Sequence, residues 1–382
     1  MANTLKFGNG EWYGKKDTIL AYNDLNSNYK PLPFNFSRAS KATVVNKDGL
    51  IEEVGSGEPR IDYKDDSKGA LLLEPSRSNL AIQSSIENMS GSSSNTGVVE
   101  FGNLNNGLES AEITVNGQRQ WYFSTANIVS GTEYTVSFYV DSFDLSSSIR
   151  PIFYIPTEGT NGVSSIYGSQ IVLGRNEKTF TATANGSQFR IGLGTSSNDT
   201  GSIKIGAVQI EEGSYPTSAI FTSGSAVTRV ADSCSQTVPD GVIGQTEGVL
   251  YAELGSIPSE AIDDVFIELS DGTSNNRILF YADSNSYIRN QIKASGSISS
   301  LINTNVTVSS NMKIAITYKS NEAKVFINGV QYGGTDTSVV VPSVNKMNLE
   351  NYTGTRSETS TLKDVKLYDT ALTDQELIAL TS

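Results

Sequence analysis

Gly131-Thr132-Glu133-Tyr134-Thr135-Val136-Ser137-Phe138-Tyr139-Val140 carries the reading that decides the fold. Tyr134, Val136, Phe138 and Val140 alternate with small or polar residues, and a period of two marks a half-buried strand. The pattern repeats on both sides. Gln118 to Ser124 (with Trp121 and Phe123), Ile149 to Ile155, Lys178 to Ala182, Gln188 to Leu193 and Ser202 to Ile210 supply further strands. No helical period separates them, so the strands are expected to pair antiparallel, as in a sandwich. Ser90 to Gly97 reads as a loop, and Tyr215 to Ser225 as an extended strap leaving the module. This module is assigned residues 81–228.

A second β-rich module is assigned residues 246–382, after a turn-rich linker at 229–245. Gly248 to Leu254, Val265 to Leu269 and Arg277 to Tyr281 are strand candidates. Lys313 to Tyr318 and Lys324 to Ile327 are expected to form a hairpin across Ser320-Asn321-Glu322. Asn328-Gly329 signals a type I′ turn into the next strand. After a closing strand, Thr361 to Tyr368, Thr373-Asp374-Gln375-Glu376 has capping-box spacing and predicts a short terminal helix.

Residues 1–80 read differently. Short apolar runs sit between turn signals, including Gly8-Asn9-Gly10, Pro31 with Pro33, Asp48-Gly49 and Lys68-Gly69. Such a segment makes a poor core alone. It is expected to lean on a partner: its own downstream domain, sister subunits or a larger assembly.

Composition removes whole classes of function. The chain has no histidine, which excludes a Ser-His-Asp triad, a histidine base and a His-ligated metal. The lone Cys234 excludes an intramolecular disulfide and reads as a small buried residue. A net charge of −13 argues against nucleic acid and anionic membrane as partners. No apolar run approaches the ~20 residues of a membrane span, and the start lacks the pattern of a signal peptide. The charge is uneven: 11 basic and 11 acidic residues through Leu80, 6 against 12 from Ala81 to Thr228, and 11 against 18 thereafter.

Phe36-Ser37-Arg38-Ala39-Ser40-Lys41-Ala42-Thr43, Asn46 to Glu52, Glu58-Pro59-Arg60-Ile61-Asp62-Tyr63 and Gly69 to Leu80 together resemble a segment common in bacteriophage structural proteins. Gly131 to Val140 with Gly206-Ala207-Val208-Gln209-Ile210-Glu211-Glu212-Gly213 resembles jelly-roll carbohydrate-binding modules. Ala315 to Tyr318, Val325 to Gly329 and Val365 to Thr373 resemble the laminin-G or concanavalin-like sandwich. These resemblances imply a virion protein with an N-terminal docking segment and two displayed sandwiches. They imply surface glycans, other virion proteins and a homotrimer as partners, on a phage head or tail.

Sugar binding on a sandwich needs an exposed aromatic ring with amide or guanidinium groups nearby. Arg119, Trp121 and Tyr122 are the local candidates, with core packing as the alternative for Trp121. Tyr154, Tyr167 and Tyr215 read chiefly as packing residues. Carboxylate catalysis would fall on Glu260, Asp263 and Glu268, but they lack the alternation of paired glycosidase acids and read as a solvated loop entering a strand. No enzyme is expected. Calcium is the one cofactor the laminin-G resemblance brings in, with Asp263, Asp264, Asp271 and Asp336 as the oxygen donors available. The expectation is an all-β virion fibre or decoration that attaches to carbohydrate; the alternative is a stand-alone adhesin of prophage or bacterial origin.

Overall fold

A computed structural model describes residues 4–23, 30–93, 98–116, 120–145, 151–154, 168–193, 200–257, 264–350, 353 and 359–382. The described chain is almost entirely antiparallel β-structure with one short α-helix, Asp374–Thr381. It divides into two compact units, and the division differs from the linear one above. One unit combines Met1–Asp48, Val54–Pro75 and Val230–Ser382; the other combines Gly49–Glu53 with Ser76–Arg229.

The first eighty residues therefore do not form a compact unit of their own. The closing strand Ser360–Tyr368 pairs along one side with Glu247–Leu254. Its other side takes Leu5–Gly8 (Leu5 opposite Leu367) and Ala70–Leu73 (Leu73 opposite Ser360). Leu5, Phe7, Ile19, Ala21, Phe34, Phe36, Leu71 and Leu73 enter one hydrophobic core with residues of 234–367. Of the partners open to this segment, its own downstream domain takes these strands. The reason is apolar burial: each large aliphatic or aromatic side chain removed from water contributes roughly 1.5–3 kcal/mol, and these short strands have no core of their own.

Two sequence expectations change with that assembly. Pro31 and Pro33 mark no turn; they lie in the strand Lys30–Ser37, opposite Tyr22 and Leu20 of Thr18–Asn23. On its other side this strand meets Ser233–Thr237 only at Asn35 to Ser37, so the prolines sit where no second ladder needs their missing N–H. The linker at 229–245 is likewise structured. Ser233–Thr237 bridges Lys30–Ser37 and Lys346–Asn348, with Cys234 fully buried in the core.

The rest of this unit follows its sequence pattern. Lys313–Lys319 and Glu322–Ile327 form the expected hairpin. Asn328 and Gly329 have φ of 47° and 80°, both positive as a type I′ turn requires, and lead into Val330–Asp336. Leu250, Ile314, Ile316, Val325 and Leu367 fill the main core. Val249, Tyr251, Ala315 and Phe326 form a second cluster with Leu377 of the terminal helix. That helix carries the full capping box, the Thr373 hydroxyl accepting from the Glu376 N–H and the Glu376 side chain accepting from the Thr373 N–H.

In the other unit a five-stranded sheet runs Val98–Asn103, Glu109–Asn116, Thr200–Glu212, Glu133–Leu145, Gly174–Thr181. A four-stranded sheet runs Ser90–Ser93, Gln120–Ile128, Gly186–Leu193, Pro151–Tyr154. Ser90–Ser93 is thus a strand where a loop was expected. Tyr134, Val136, Phe138 and Val140 all point into the core with Phe189, Ile191, Ile203 and Ile205, as their alternation predicts.

Candidate functional site

The polar parity of Glu133–Leu145 is buried as well: Thr135 and Ser137 are each 1% exposed. They lie opposite Glu211 and Gln209 of Thr200–Glu212, on the face of the five-stranded sheet away from the core. The strap that follows is hydrogen-bonded to these residues. Glu211 accepts from the Thr217 N–H at 2.8 Å and from the Thr217 hydroxyl. Gln209 donates to the Thr217 and Ser218 carbonyls and accepts from the Ile220 N–H at 2.6 Å. Arg229 donates to the Thr217 and Ser218 hydroxyls. Buried polar side chains need partners, and the strap supplies them.

Asn79 fixes the next stretch. Its side-chain nitrogen donates to the carbonyls of Val208 (3.2 Å) and Ile220 (2.8 Å), and its oxygen accepts from the N–H groups of Ala81 and Ile210. Two residues further along the strap, the Thr222 N–H donates to the Ser84 hydroxyl at 3.0 Å, and the Thr222 hydroxyl donates to the Ala81 carbonyl at 2.6 Å. Ile220 and Thr222 are thus both pinned. The ring between them, Phe221, is presented outward at 38% exposure.

Phe221 borders a cleft of about 430 Å³. Ile51, Leu108 and Ala207 give it further apolar surface; Ser84, Ser85, Asn88, Glu109 and Ser223 give it polar groups. A bulge shapes it. Between the pairs Ser137–Gln209 and Tyr139–Gly206, Val208 and Ala207 face the single residue Phe138. Ala207 takes φ of 51°, a left-handed conformation uncommon for a residue with a Cβ. Gly206 is required by space, because a Cβ there would lie 2.1 Å from the Glu109 carbonyl oxygen. Among the described residues, nothing pairs with the Glu109 carboxylate or the Asn88 side-chain amide. The arrangement offers one fixed aromatic face beside uncommitted hydrogen-bonding groups.

The residues singled out from sequence fare differently. Arg119 lies outside the described residues, as does the side chain of Trp121, whose backbone belongs to Gln120–Ile128. Tyr122 is half-buried against the hydrophobic core. Tyr215 packs under the Arg77 guanidinium, 5.4 Å from ring centre. Tyr167 and the Tyr154 side chain lie outside the described residues. Phe221 was missed because an aromatic in a segment read as a strap gives no periodic signal.

Glu260 and Asp263 also lie outside the described residues. Glu268 is no solvated loop residue; it is fully buried within Asp264–Ser270, opposite Asn348. Asp271 organises a turn. Burial opposes its ionisation, yet hydrogen bonds from Thr273 and Asn276 hold its carboxyl below the ordinary range. Asp336 accepts from the Ser338 N–H and hydroxyl. Among the described residues no three acidic or thiol groups converge as a metal site, and no helix is long and apolar enough to cross a membrane.

Residues 256–378 match the family described as the concanavalin A-like lectin/glucanases superfamily, which makes the C-terminal part a concanavalin-like sandwich. No curated protein matches the chain. Among solved structures it is similar to the CBM40 of the Ruminococcus gnavus IT-sialidase, at 16% identity over 36% of this chain and 84% of that one, TM-score 0.30. It is also similar to domain 4 of AbnA, a GH43 extracellular arabinanase from Geobacillus stearothermophilus in complex with arabinotriose. There the identity is 16% over 40% of this chain and 73% of that one, with TM-score 0.31. A SAP-like pentraxin from Limulus polyphemus matches at 14% identity over 36% and 70% of the two chains, TM-score 0.28. Likenesses at these scores carry no argument about ligands; the antiparallel topology and the family match define the fold.

Proposed function

We propose that this protein is a carbohydrate-binding attachment component of a bacteriophage virion, a fibre or decoration of head or tail, and that it binds rather than cleaves its glycan. The observation that carries the binding reading is Phe221, held outward between two hydrogen-bonded neighbours above a cleft of about 430 Å³. A pyranose ring stacks on such a face, and because neighbouring residues are already ordered, little further entropy is lost on binding. Binding per site is weak, and a homotrimer present in many copies supplies avidity.

The virion placement is supported by the resemblance of residues 36–80 to phage structural proteins. Their role differs from docking through apolar runs, since Arg38, Arg60, Glu74 and Asn79 within that stretch are all buried ties inside this chain. The particle-facing surface is therefore to be sought among exposed residues. Titration calorimetry of the purified chain against oligosaccharides tests the binding reading. Phe221→Ala is expected to weaken binding by at least about tenfold with an unchanged unfolding midpoint. Antibody-labelled electron microscopy of particles tests the placement, and a signal confined to free protein would favour the stand-alone adhesin.

A further inference from the structure

We propose that the Phe221 cleft selects neutral, hydroxyl-rich sugars and rejects sugars bearing a carboxylate or sulfate, an inference that rests on the glycan-binding reading of the same cleft. Among the described residues lining it, Glu109 alone is charged; Asn88, Ser85 and Ser223 are neutral donors and acceptors, and neither lysine nor arginine contributes. Glu109 is exposed and has no partner among the described residues, so its carboxylate is free to accept from two vicinal sugar hydroxyls. Hydrogen bonds to an ionised acceptor are shorter and about twice as strong as neutral ones.

An acidic sugar meets the opposite situation. Carboxylate and sulfate recognition ordinarily uses the fork of an arginine or the point charge of a lysine. Here the incoming anion would approach Glu109 with no cation among the described lining residues to offset it. The surrounding segment adds to the bias, with 6 basic against 12 acidic residues between Ala81 and Thr228.

The test titrates the full chain with neutral probes and their acidic counterparts: lactose against 3′-sialyllactose, and a galactan hexamer against a galacturonan hexamer, at low and high salt. The neutral member is expected to bind at least about tenfold more tightly at low salt, with the gap shrinking at high salt as charges are screened. Glu109→Gln is expected to weaken neutral binding and narrow the gap. Phe221→Ala is expected to abolish both. If an acidic sugar binds as well or better and Phe221→Ala removes it, or if Glu109→Gln leaves the gap unchanged, neutral selection is wrong while the cleft stands. If no probe binds, or Phe221→Ala changes nothing, the glycan reading of the cleft itself fails.

Discussion

Arg60 donates a hydrogen bond to the carboxylate of Asp232, 172 residues further along the chain, with both side chains fully buried. Arg60 also donates to Glu74 at 2.5 Å, and Arg38 meets the other oxygen of Asp232 at 3.1 Å. Burial works against the Arg60 charge, but Asp232 and Glu74 hold its guanidinium above the ordinary value. Asp232 thus ties two arginines of the N-terminal stretch to the start of the C-terminal one.

Removing one member of such a network leaves buried charges uncompensated, which costs about 3–5 kcal/mol. Asp232→Ala is expected to lower the unfolding free energy of this unit, read from urea titration, by an amount in that range. A loss below about 1 kcal/mol would show that solvent reaches the arginines and the network is not closed.

Deleting residues 1–75 should do more than remove a tail. Ser360–Tyr368 would lose Leu5–Gly8 and Ala70–Leu73 from one side, and the core would lose Phe7, Phe34 and Phe36. The shortened chain is expected to aggregate or to expose its C-terminal half to protease. Light scattering and limited proteolysis check this, and a stable monomer with a protected C-terminal half would contradict it.

Gly206→Ala is expected to destabilise the unit that holds the five-stranded sheet by several kcal/mol, within the range of overpacking and strain effects. Its new methyl would need the space of the Glu109 carbonyl, and Glu109 would move away from the cleft. Thermal unfolding reads the first effect and glycan titration the second. A variant of native midpoint and affinity would mean that the bulge is not what sets the cleft.

Asp66 and Lys363 form an ion pair at 2.8 Å, and this hydrogen bond holds the Asp66 carboxyl below the ordinary carboxylate range. A depressed folded-state pKa gives stability that is present above the unfolded value near 4 and is lost as pH falls through the folded value. Asp66→Asn should therefore be less stable than the parent at pH 7, with the difference shrinking below about pH 4. Paired urea titrations at pH 7 and pH 3 measure it; a difference of equal size at both would assign the effect to packing.

Local order was readable wherever one residue pattern controlled it. Tyr134 to Val140 alternate and therefore present one apolar face. Asn328-Gly329 accepts positive φ and therefore turns, and Thr373 with Glu376 satisfies the exposed N–H groups of a helix start. Lys30–Ser37 escaped because its two prolines argue against a strand until the neighbouring ladder is known. Phe221 escaped because what makes it available is the set of bonds from Gln209, Asn79 and Ser84 to its neighbours, and Asn79 and Ser84 lie far from it in sequence.

The sequence by itself determined an all-β chain, its hairpins and terminal helix, and the absence of histidine chemistry, because backbone periodicity, turn conformations and residue inventory are local or compositional properties. Only the tertiary structure decided that residues 1–48 and 54–75 complete the C-terminal sandwich and that a bulge and a pinned strap frame a cleft. Those outcomes depend on which apolar faces and buried polar groups find each other across more than a hundred residues, a choice made by the free energy of the whole packed unit.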